Sequence, residues 1–342
     1  MSDSEGSHNL PKQIRERSVS CAGTGITRRL AVLTAVVMAA AILMPCSSRA
    51  DVFDDAATNP AFMRDIHLVG AGGSRINSAA TNDGQRTGIS SYQAGVAANL
   101  WNNEHNQVLA GIQYGRRAFD QQLILPDGFA MPEQLDSVSG AFLYKHITSG
   151  DWSLSQSARY TRYATEHPSV TVKDTIDLVG LAAISPEPGI AWIFGYYYNQ
   201  MSDTKNHFYP VIEYYNGAHD RWTITVGYPI LSLSVSPHPY WSMTAGGGAS
   251  IAYEIAAQNY LRLSYLADAW AYRLTGPEVK GVAYTAKRFD LGWTSLYAID
   301  HRTLVVLSAS VGWEFDRKLG ADTKLVLDDA AVLGAMVALS FY

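Results

Sequence analysis

The last ten residues of the chain, 333–342, read LGAMVALSFY. Every second residue from Leu333 to Phe341 is apolar, and the residues between them are smaller or more polar. A period of two is that of a β-strand with one apolar face. A strand at the end of a chain leaves an exposed sheet edge unless another strand covers it. The C-terminal segment therefore predicts a sheet that closes by pairing its last strand with its first.

Segments with the same alternation recur along the chain. The clearest are 92–100, 108–115, 243–253 and 305–315. Each has one apolar face and one small or polar face, which is the pattern of a strand lying between lipid and a lumen. After position 50 no run is apolar enough to span a bilayer as a helix. The sequence therefore predicts an all-β protein, a transmembrane antiparallel up-and-down β-barrel.

The connections between these segments alternate in length. Short turns are expected at 102–105, 148–151, 185–189, 216–220, 256–259 and 298–301. Longer loops are expected at 76–87, 118–134, 165–173, 202–207, 237–240, 274–286 and 316–330. Short periplasmic turns and longer external loops are typical of outer-membrane barrels. The alternation predicts about 14 strands, with 12–16 possible if two connections are misassigned, and an even number places both termini in the periplasm.

The segment 221–236 interrupts the period of two. Apolar residues occupy even positions from Trp222 to Tyr228 and odd positions from Leu231 to Val235, so the phase slips near Pro229. Proline cannot donate to a ladder, and a bulge accommodates such a slip. A turn at Pro229 would make the strand count odd, so we expect one bulged strand here. The glycine-rich segment 241–255 is also expected to be a single strand.

The first fifty residues have the pattern of an export signal. Arg28 and Arg29 precede the apolar run 30–44, and a small-x-small cleavage site ends at Ala50. The apolar run is shorter than the roughly 20 residues that a membrane helix needs. Partial features of a twin-arginine signal and of a lipoprotein site also occur in this stretch. The expected organisation is a signal peptide with a long polar leader at 1–50, a periplasmic segment at 51–63 and the barrel at 64–342.

Composition narrows the classes of partner. The chain has 342 residues and a net charge of -5, and this mildly acidic balance argues against nucleic acid as a partner. Cys21 and Cys46, the two cysteines, both precede the expected mature start, so neither a disulfide nor a cysteine metal site is expected. Aromatic residues cluster at the ends of expected strands, as at the two interfaces of a bilayer. They include Trp101, Trp152, Tyr160, Tyr163, Tyr214, Trp241, Tyr297 and Trp313.

Two parts of the sequence resemble known families. The alternating last strand with Phe341 near its end resembles the assembly signal of bacterial outer-membrane barrels, although Tyr342 follows here. Residues 208–247 resemble a family of uncharacterised bacterial outer-membrane barrels, through a proline-centred strand, the pattern W-x-I-x-V-G-x-P and a glycine-rich strand. The resemblance implies a place in the cell outer membrane and contact with its lipid and lipopolysaccharide. It also implies insertion by the barrel-assembly machinery, which would recognise the strand ending in Phe341-Tyr342.

The sequence carries no catalytic motif of the common enzyme classes. It lacks H-E-x-x-H, the G-x-S-x-G elbow, a Walker loop and a dinucleotide-binding glycine motif. Its histidines are scattered, and the nearest arrangement to a metal or catalytic group is His207 and His238 with Asp203 at the outer rim. We therefore expect no enzyme activity, no cofactor and no metal site.

Nine charged residues fall on the expected inward face. A charge on the lipid face near the midplane costs roughly 2–4 kcal/mol, so the period of two should direct these side chains to the lumen. Lined by four basic and five acidic groups, the lumen could be a polar path that favours neither sign of ion, or a plug of cross-lumen pairs. The nine residues are Arg117, Lys145, Arg159, Glu213, Glu254, Arg262, Asp268, Asp290 and Glu314.

The leading functional expectation is a pore for passive or gated passage of small solutes, with loops 118–134 and 274–286 as gates. Loop 118–134 contains two apolar triplets, 123–125 and 129–131, and these favour an alternative, a transporter of hydrophobic compounds. A closed barrel with a structural or surface-binding role is a further alternative. A membrane-embedded enzyme and a soluble periplasmic β-protein also remain open.

Overall fold

The protein is described here by a computed structural model. It describes residues 67–341 except 149–151, 167–169, 201–207, 220, 229–230, 239, 247, 276–278, 301 and 321–322. The expected signal peptide at 1–50 and periplasmic segment at 51–63 lie outside the described residues. No helix in the described part of the chain is long and apolar enough to cross a membrane.

The described residues form eighteen strands in one antiparallel sheet. The first nine are β1 His67–Ala80, β2 Arg86–Asn102, β3 Asn106–Phe119, β4 Gln134–Ile147, β5 Trp152–Thr165, β6 Thr171–Val172, β7 Thr175–Glu187, β8 Ile190–Asn199 and β9 Phe208–His219. The second nine are β10 Trp222–Tyr228, β11 Leu231–His238, β12 Trp241–Ala245, β13 Gly248–Ala256, β14 Asn259–Thr275, β15 Val279–Ala298, β16 Thr303–Gly320, β17 Lys324–Leu327 and β18 Ala330–Phe341. The two-residue β6 and the four-residue β17 lie in connections, so sixteen of these described strands make the wall.

The sheet closes as the C-terminal segment predicts. β1 pairs with β2 on one side and with β18 on the other, in a register from His67↔Phe341 to Ile76↔Val332. On β18 the alternating apolar residues point outward, since Leu333 is 53% exposed whereas Val332 is 0% exposed. The fold is therefore a closed antiparallel barrel with a lipid-compatible outer face, as expected of an outer-membrane protein.

The wall contains sixteen strands rather than about 14, because two connections in the second half were misassigned. The prediction of one bulged strand at 221–236 is wrong: β10 and β11 form a hairpin with the pairing Val226↔Leu231. Outward residues are even on β10 and odd on β11, so the phase slip at Pro229 marks a turn. The expected strand 241–255 is likewise a hairpin of β12 and β13, with the pairing Ala245↔Ala249.

Because of these two extra turns, the wall formed by β10 to β13 is shorter along the barrel axis than the rest. Strands β10 to β13 have 7, 8, 5 and 9 residues, whereas β14 to β16 have 17, 20 and 18. Five residues extend only about 17 Å, which is short of a hydrocarbon band about 25 Å tall. The β13–β14 ladder stops at Gly248↔Leu266, and higher on that edge β14 next pairs with β6 at Leu274↔Val172.

Two of the predicted external loops differ in the structure, where the wall has sixteen strands. The 274–286 segment is mostly strand, because β14 runs to Thr275 and β15 starts at Val279. The expected external loop at 237–240 is wrong, because β11 descends to His238, which pairs with Trp241 at the end of the barrel that carries the periplasmic turns. The 118–134 connection remains long, between β3 and β4, and it leads to the candidate site.

Candidate functional site

Residues 120–133, here called the cap hairpin, fold into the external mouth of the barrel. The chain reverses at Pro126-Asp127-Gly128, where Gly128 has a φ of 83° that favours glycine. The backbone N–H of Leu125 donates to Phe129 O at 2.8 Å, and that of Met131 donates to Leu123 O at 2.7 Å. The hairpin buries Leu123, Leu125 and Met131, which are 0%, 2% and 0% exposed.

The cap hairpin packs into an apolar cluster contributed by strands on several sides of the mouth. Exclusion of water from these side chains holds the hairpin in the barrel. The buried members from the wall and from the other connections are Ile76, Ala79, Ile89, Phe119, Leu135, Val170, Val172, Tyr272, Leu274, Val282, Tyr284, Ala286, Leu319, Leu325, Leu327, Ala330 and Val332.

A polar latch fixes the outer side of the cap hairpin. The Gln85 side chain donates from Nε2 to Ile124 O at 2.8 Å and accepts from Ile124 N at 2.9 Å through Oε1. Gln85 Nε2 also donates to Asp83 Oδ2 at 2.6 Å, and Thr81 donates its hydroxyl to Asp83. Hydrogen bonds from Thr81 and then Gln85 lower the pKa of Asp83 below its usual value. The latch, Asp83–Gln85–Ile124, thus joins the β1–β2 turn to the cap hairpin.

Two further contacts tie the cap region to the wall. Asp120, at the start of the cap hairpin, forms a bidentate pair with Arg75 of β1, in which both N···O distances are 2.6 Å. The connection containing β6 reaches β14, which is not its neighbour around the wall, and Lys173 N donates to Arg273 O at 2.9 Å. The external mouth is therefore crossed by two connections of the same chain.

Aromatic side chains line the inner face beneath the cap hairpin. Trp270 and Tyr284 stack with their ring centroids 4.9 Å apart and 14° between their planes. Trp270 also lies 5.3 Å from Tyr272 and 6.2 Å from Phe119, and Tyr163 meets Tyr272 edge to face at 5.6 Å. These five residues are here called the aromatic cluster. Phe119, Tyr272 and Tyr284 belong to the same buried cluster as the cap hairpin, and Trp270 and Tyr163 pack against it.

The nine expected inward charges differ in burial. Lys145, Glu213, Asp268, Asp290 and Glu314 are buried, while Arg117, Arg159, Glu254 and Arg262 are partly exposed. The structure brings Asp268, Asp290 and Glu314 together on the inner faces of β14, β15 and β16. Lys145 on β4 and Glu213 on β9 lie on separate strands, away from that group.

Two inward arginines belong to the same region and were not named from the sequence. Arg288 pairs with Asp290 at 2.6 Å, and its position two residues from Asp290 was an available signal. Arg317 lies 3.5 Å from Glu314, with both side chains 0% exposed. Arg317 falls in a segment expected to be a loop, and its inward direction follows an irregularity at Asp316, which has a φ of 52°.

Within the described residues, the charged side chains on β14, β15 and β16 form only some of the hydrogen bonds that they could make. Tyr284 Oη donates to Glu314 Oε2 at 2.6 Å, and Arg317 Nε donates to Tyr284 Oη at 3.0 Å. Glu314 Oε1, Asp268 Oδ1 and Arg317 Nη2 are buried without a hydrogen-bond partner in this part of the structure. Ordered water commonly satisfies such groups, so the inner wall here is polar and tightly held.

Two inward positions on other strands are open to solvent. Gln93 lies on the inward face of β2, since its neighbour Tyr92 points outward, and Gln93 is nevertheless exposed. Thr244 on β12 is likewise inward and exposed, and its hydroxyl lies 2.6 Å from Ser250 Oγ. The lumen is therefore open to solvent at these two positions, whereas other inward side chains, such as Leu109, Leu143 and Val306, are buried.

The outer face carries a separate concavity. An apolar groove of about 610 Å³ lies against strands β11 to β15, lined by outward residues such as Leu233, Met243, Leu263 and Phe289. Such a surface suits the acyl chains of the surrounding bilayer, so the outer wall contacts membrane lipid. We place the candidate site in the lumen, not in this groove.

The residues described here hold no group of three or more His, Cys, Asp or Glu side chains suited to a metal ion. His207 and Asp203, two of the three residues considered for a rim site, lie outside the described residues. His238 ends the descending strand β11, at the periplasmic end beside Tyr240, so it does not lie at the outer rim.

Solved structures similar to this chain include three membrane-associated proteins of low sequence identity. The toluene transporter TodX of P. putida is 10% identical with a TM-score of 0.41, and the match covers 84% of this chain and 94% of TodX. A Pseudomonas aeruginosa FadL homologue is 11% identical with a TM-score of 0.41, over 88% of this chain and 95% of that protein. The translocator domain of the autotransporter NalP from Neisseria meningitidis is 11% identical with a TM-score of 0.33, over 94% and 100%.

No protein-family model matches this sequence, and no curated protein matches it.

Proposed function

We propose that this barrel is a gated outer-membrane channel for small apolar solutes, with the cap hairpin as its gate. The observation that carries the proposal is the burial of Leu123, Leu125 and Met131 in the external mouth, directly above the aromatic cluster. A hairpin that covers the mouth can act as a gate where the lumen beneath it is accessible to solvent. The exposed inward side chains of Gln93 and Thr244 support such a lumen.

The chemistry of the cap favours an apolar cargo over ions. Opening the mouth exposes three buried apolar side chains, at a cost of roughly 1.5–3 kcal/mol for each. An apolar solute that covers the vacated surface restores part of this free energy, whereas an ion does not. Because a ligand shifts an equilibrium by its differential affinity for the two states, an apolar solute stabilises the open state.

Passage of small polar solutes is a second candidate. It is favoured by the nine charges expected in the lumen and by the solvent-exposed inward positions on β2 and β12. Replacing the inward Arg159 by Glu should then shift the ratio of cation to anion permeability. For an apolar cargo the same change should leave the rate of uptake nearly unchanged.

The proposal includes export of the chain across the inner membrane and insertion of the barrel into the outer membrane. Residues 1–50 would be removed as a signal peptide, and the barrel-assembly machinery would recognise the last strand ending in Phe341-Tyr342. The pairing of β18 with β1 supports this, since the terminal strand must be placed last to close the wall. Lipopolysaccharide would then surround the external half of the barrel.

Tethering the cap hairpin tests the gate. Gln85 and Ile124 are in contact, and the chain has no cysteine after Cys46, so a Gln85→Cys/Ile124→Cys pair can be bridged by a short thiol-reactive reagent. In cells with the protein in the outer membrane, the initial uptake rate of the neutral aromatic dye N-phenyl-1-naphthylamine should fall on bridging and recover on reduction. Each single-cysteine variant, treated in the same way, should take up the dye at the same rate before and after reduction. Equal uptake by bridged and reduced protein would contradict the proposed gate.

A further inference from the structure

Arg117 of β3 has an unusual position beside the aromatic cluster. Its guanidinium carbon lies 4.2 Å from the centroid of the Trp270 ring, and its Nη1 donates to Tyr272 Oη at 2.5 Å. Trp270 is in turn held by its stacking on Tyr284. The stacking and the hydrogen bond together fix the plane of the guanidinium within the lumen.

Arg117 also differs from the neighbouring inward arginines in its charge partners. Arg288 pairs with Asp290 at 2.6 Å, and Arg317 lies 3.5 Å from Glu314. In the described part of the chain, no carboxylate lies within ion-pair distance of Arg117, whose hydrogen-bond partners are the hydroxyl groups of Ser91 and Tyr272. Asp268 interacts with Arg117 only over a longer range. The positive charge of Arg117 is therefore directed into the lumen without a close counter-charge.

We propose that Arg117 and the aromatic cluster bind a small aromatic carboxylate. The planar guanidinium can donate two parallel hydrogen bonds to the carboxylate, an arrangement that a lysine cannot provide. The aromatic ring of the ligand packs against Trp270 and Tyr163, which are both partly exposed on the inner face. This inference rests on the proposed channel and names a class of cargo for it: aromatic acids in addition to neutral apolar solutes.

The geometry separates this ligand class from two others. A neutral hydrocarbon makes the same ring contacts but leaves the guanidinium without a counter-charge. An inorganic phosphate can pair with the guanidinium but makes no use of the aromatic cluster. An aromatic carboxylate satisfies both parts of the site.

Binding of sodium benzoate tests the inference. Titration calorimetry on the protein purified from the outer membrane in detergent should show benzoate binding at least tenfold more tightly than benzyl alcohol, its neutral analogue. Arg117→Gln should weaken benzoate binding at least tenfold and leave benzyl alcohol unchanged. Arg116→Gln is the matched control, because Arg116 is the next residue on β3, points to the opposite face and pairs with Asp136 at 2.8 Å.

A second variant protects the test against misfolding. Arg117→Lys keeps the charge but loses the planar pair of donors, so benzoate binding should be intermediate between native and Arg117→Gln. Variants that lose the heat-modifiable band of a folded barrel are excluded. Equal benzoate affinity in native protein and a folded Arg117→Gln variant would overturn the inference, as would benzyl alcohol binding as tightly as benzoate.

The outcome is distinguishable from failure of the channel itself. Benzoate binding in detergent by a barrel that transports no dye would support the site and refute the channel. Dye uptake without measurable benzoate binding would overturn the site alone.

Discussion

Gln85 shows how one side chain can control a loop in another part of the barrel. Its amide makes two hydrogen bonds with the backbone of Ile124, in the manner of a neighbouring strand. Gln85→Ala removes both, each with a net value of about 1 kcal/mol, so the ratio of open to closed cap should rise roughly 30-fold. The open fraction of time in single-channel records measures this. Gln121→Ala, on an exposed glutamine of the same hairpin, should leave the open fraction unchanged.

Asp83 makes the latch sensitive to acid. Its pKa is lowered by hydrogen bonds from Thr81 and then Gln85, so the turn that positions the Gln85 amide is more stable when Asp83 is ionised. A lowered pKa in the folded turn contributes stability above the ordinary aspartate pKa of about 3.9, and that stability is lost as the pH falls through the lowered value. Channel opening should therefore be constant near neutral pH and increase when the external chamber is brought below about pH 4.

Asp83→Asn provides the comparison for this pH dependence. The amide cannot ionise, so the increase in opening on external acidification should disappear. An acid response of the same size in Asp83→Asn and in native protein would place the titrating group elsewhere.

The close approach of Asp290 to Gly312 explains why glycine occupies that position on β16. A Cβ added at Gly312 would lie 2.1 Å from Asp290 Oδ1 and 2.5 Å from Phe289 O, so the carboxylate that pairs with Arg288 would have to move. Gly312→Ala should therefore lower the free energy of unfolding by roughly 1–3 kcal/mol.

Gly140→Ala is the control for that substitution. A Cβ at Gly140 has nothing within 4 Å, so the change should be neutral or slightly stabilising. Urea titration followed by the loss of heat-modifiable mobility measures both variants. Equal midpoints for the two would show that the inner wall of β14 to β16 tolerates displacement of Asp290.

At the level of strands, the sequence defines faces better than it defines turns. The period of two directs Leu333 outward and Glu314 inward whether the chain has fourteen or sixteen strands. The phase slip between Tyr228 and Leu231 does not distinguish a hairpin from a bulged strand, because a two-residue turn and a one-residue bulge shift the alternation in the same way. For the second hairpin, formed by β12 and β13, the sequence pattern alone does not distinguish a turn near Gly246 from a continuous glycine-rich strand. The two unpredicted hairpins raise the number of wall strands from fourteen to sixteen. Since both numbers are even, both termini are still expected at the periplasmic end.

The cap hairpin could be anticipated only in part. Its apolar triplets indicated a loop that could enter the barrel, and the structure places that loop in the mouth. Its partners, such as Leu274, Val282 and Leu319, come from strands far away in the sequence. The stacking of Arg117 on Trp270 is likewise a contact between β3 and β14, which no local pattern reveals.

The whole molecule combines three layers along its axis. The external mouth is closed by the cap hairpin, the aromatic cluster packs against it, and the described inner face below carries charged and hydroxyl side chains together with a buried apolar cluster that includes Val179, Leu181 and Ile193. The closure of β1 on β18 makes this interior continuous and leaves the apolar face to the lipid. A barrel arranged in this way should be nearly closed to ions until the cap hairpin leaves the mouth.

Single-channel conductance in a planar bilayer tests this account most directly, by comparing the native protein with a Leu123→Ser/Leu125→Ser/Met131→Ser variant. Each substitution removes an apolar side chain buried in the cap, where Leu→Ala changes commonly cost 2–5 kcal/mol, so the variant should lose its closed state. The account predicts rare, brief openings for native protein and steady current steps for the variant. A variant that is folded by heat-modifiability but silent, or native protein that conducts as steadily as the variant, would contradict the cap hairpin as a gate.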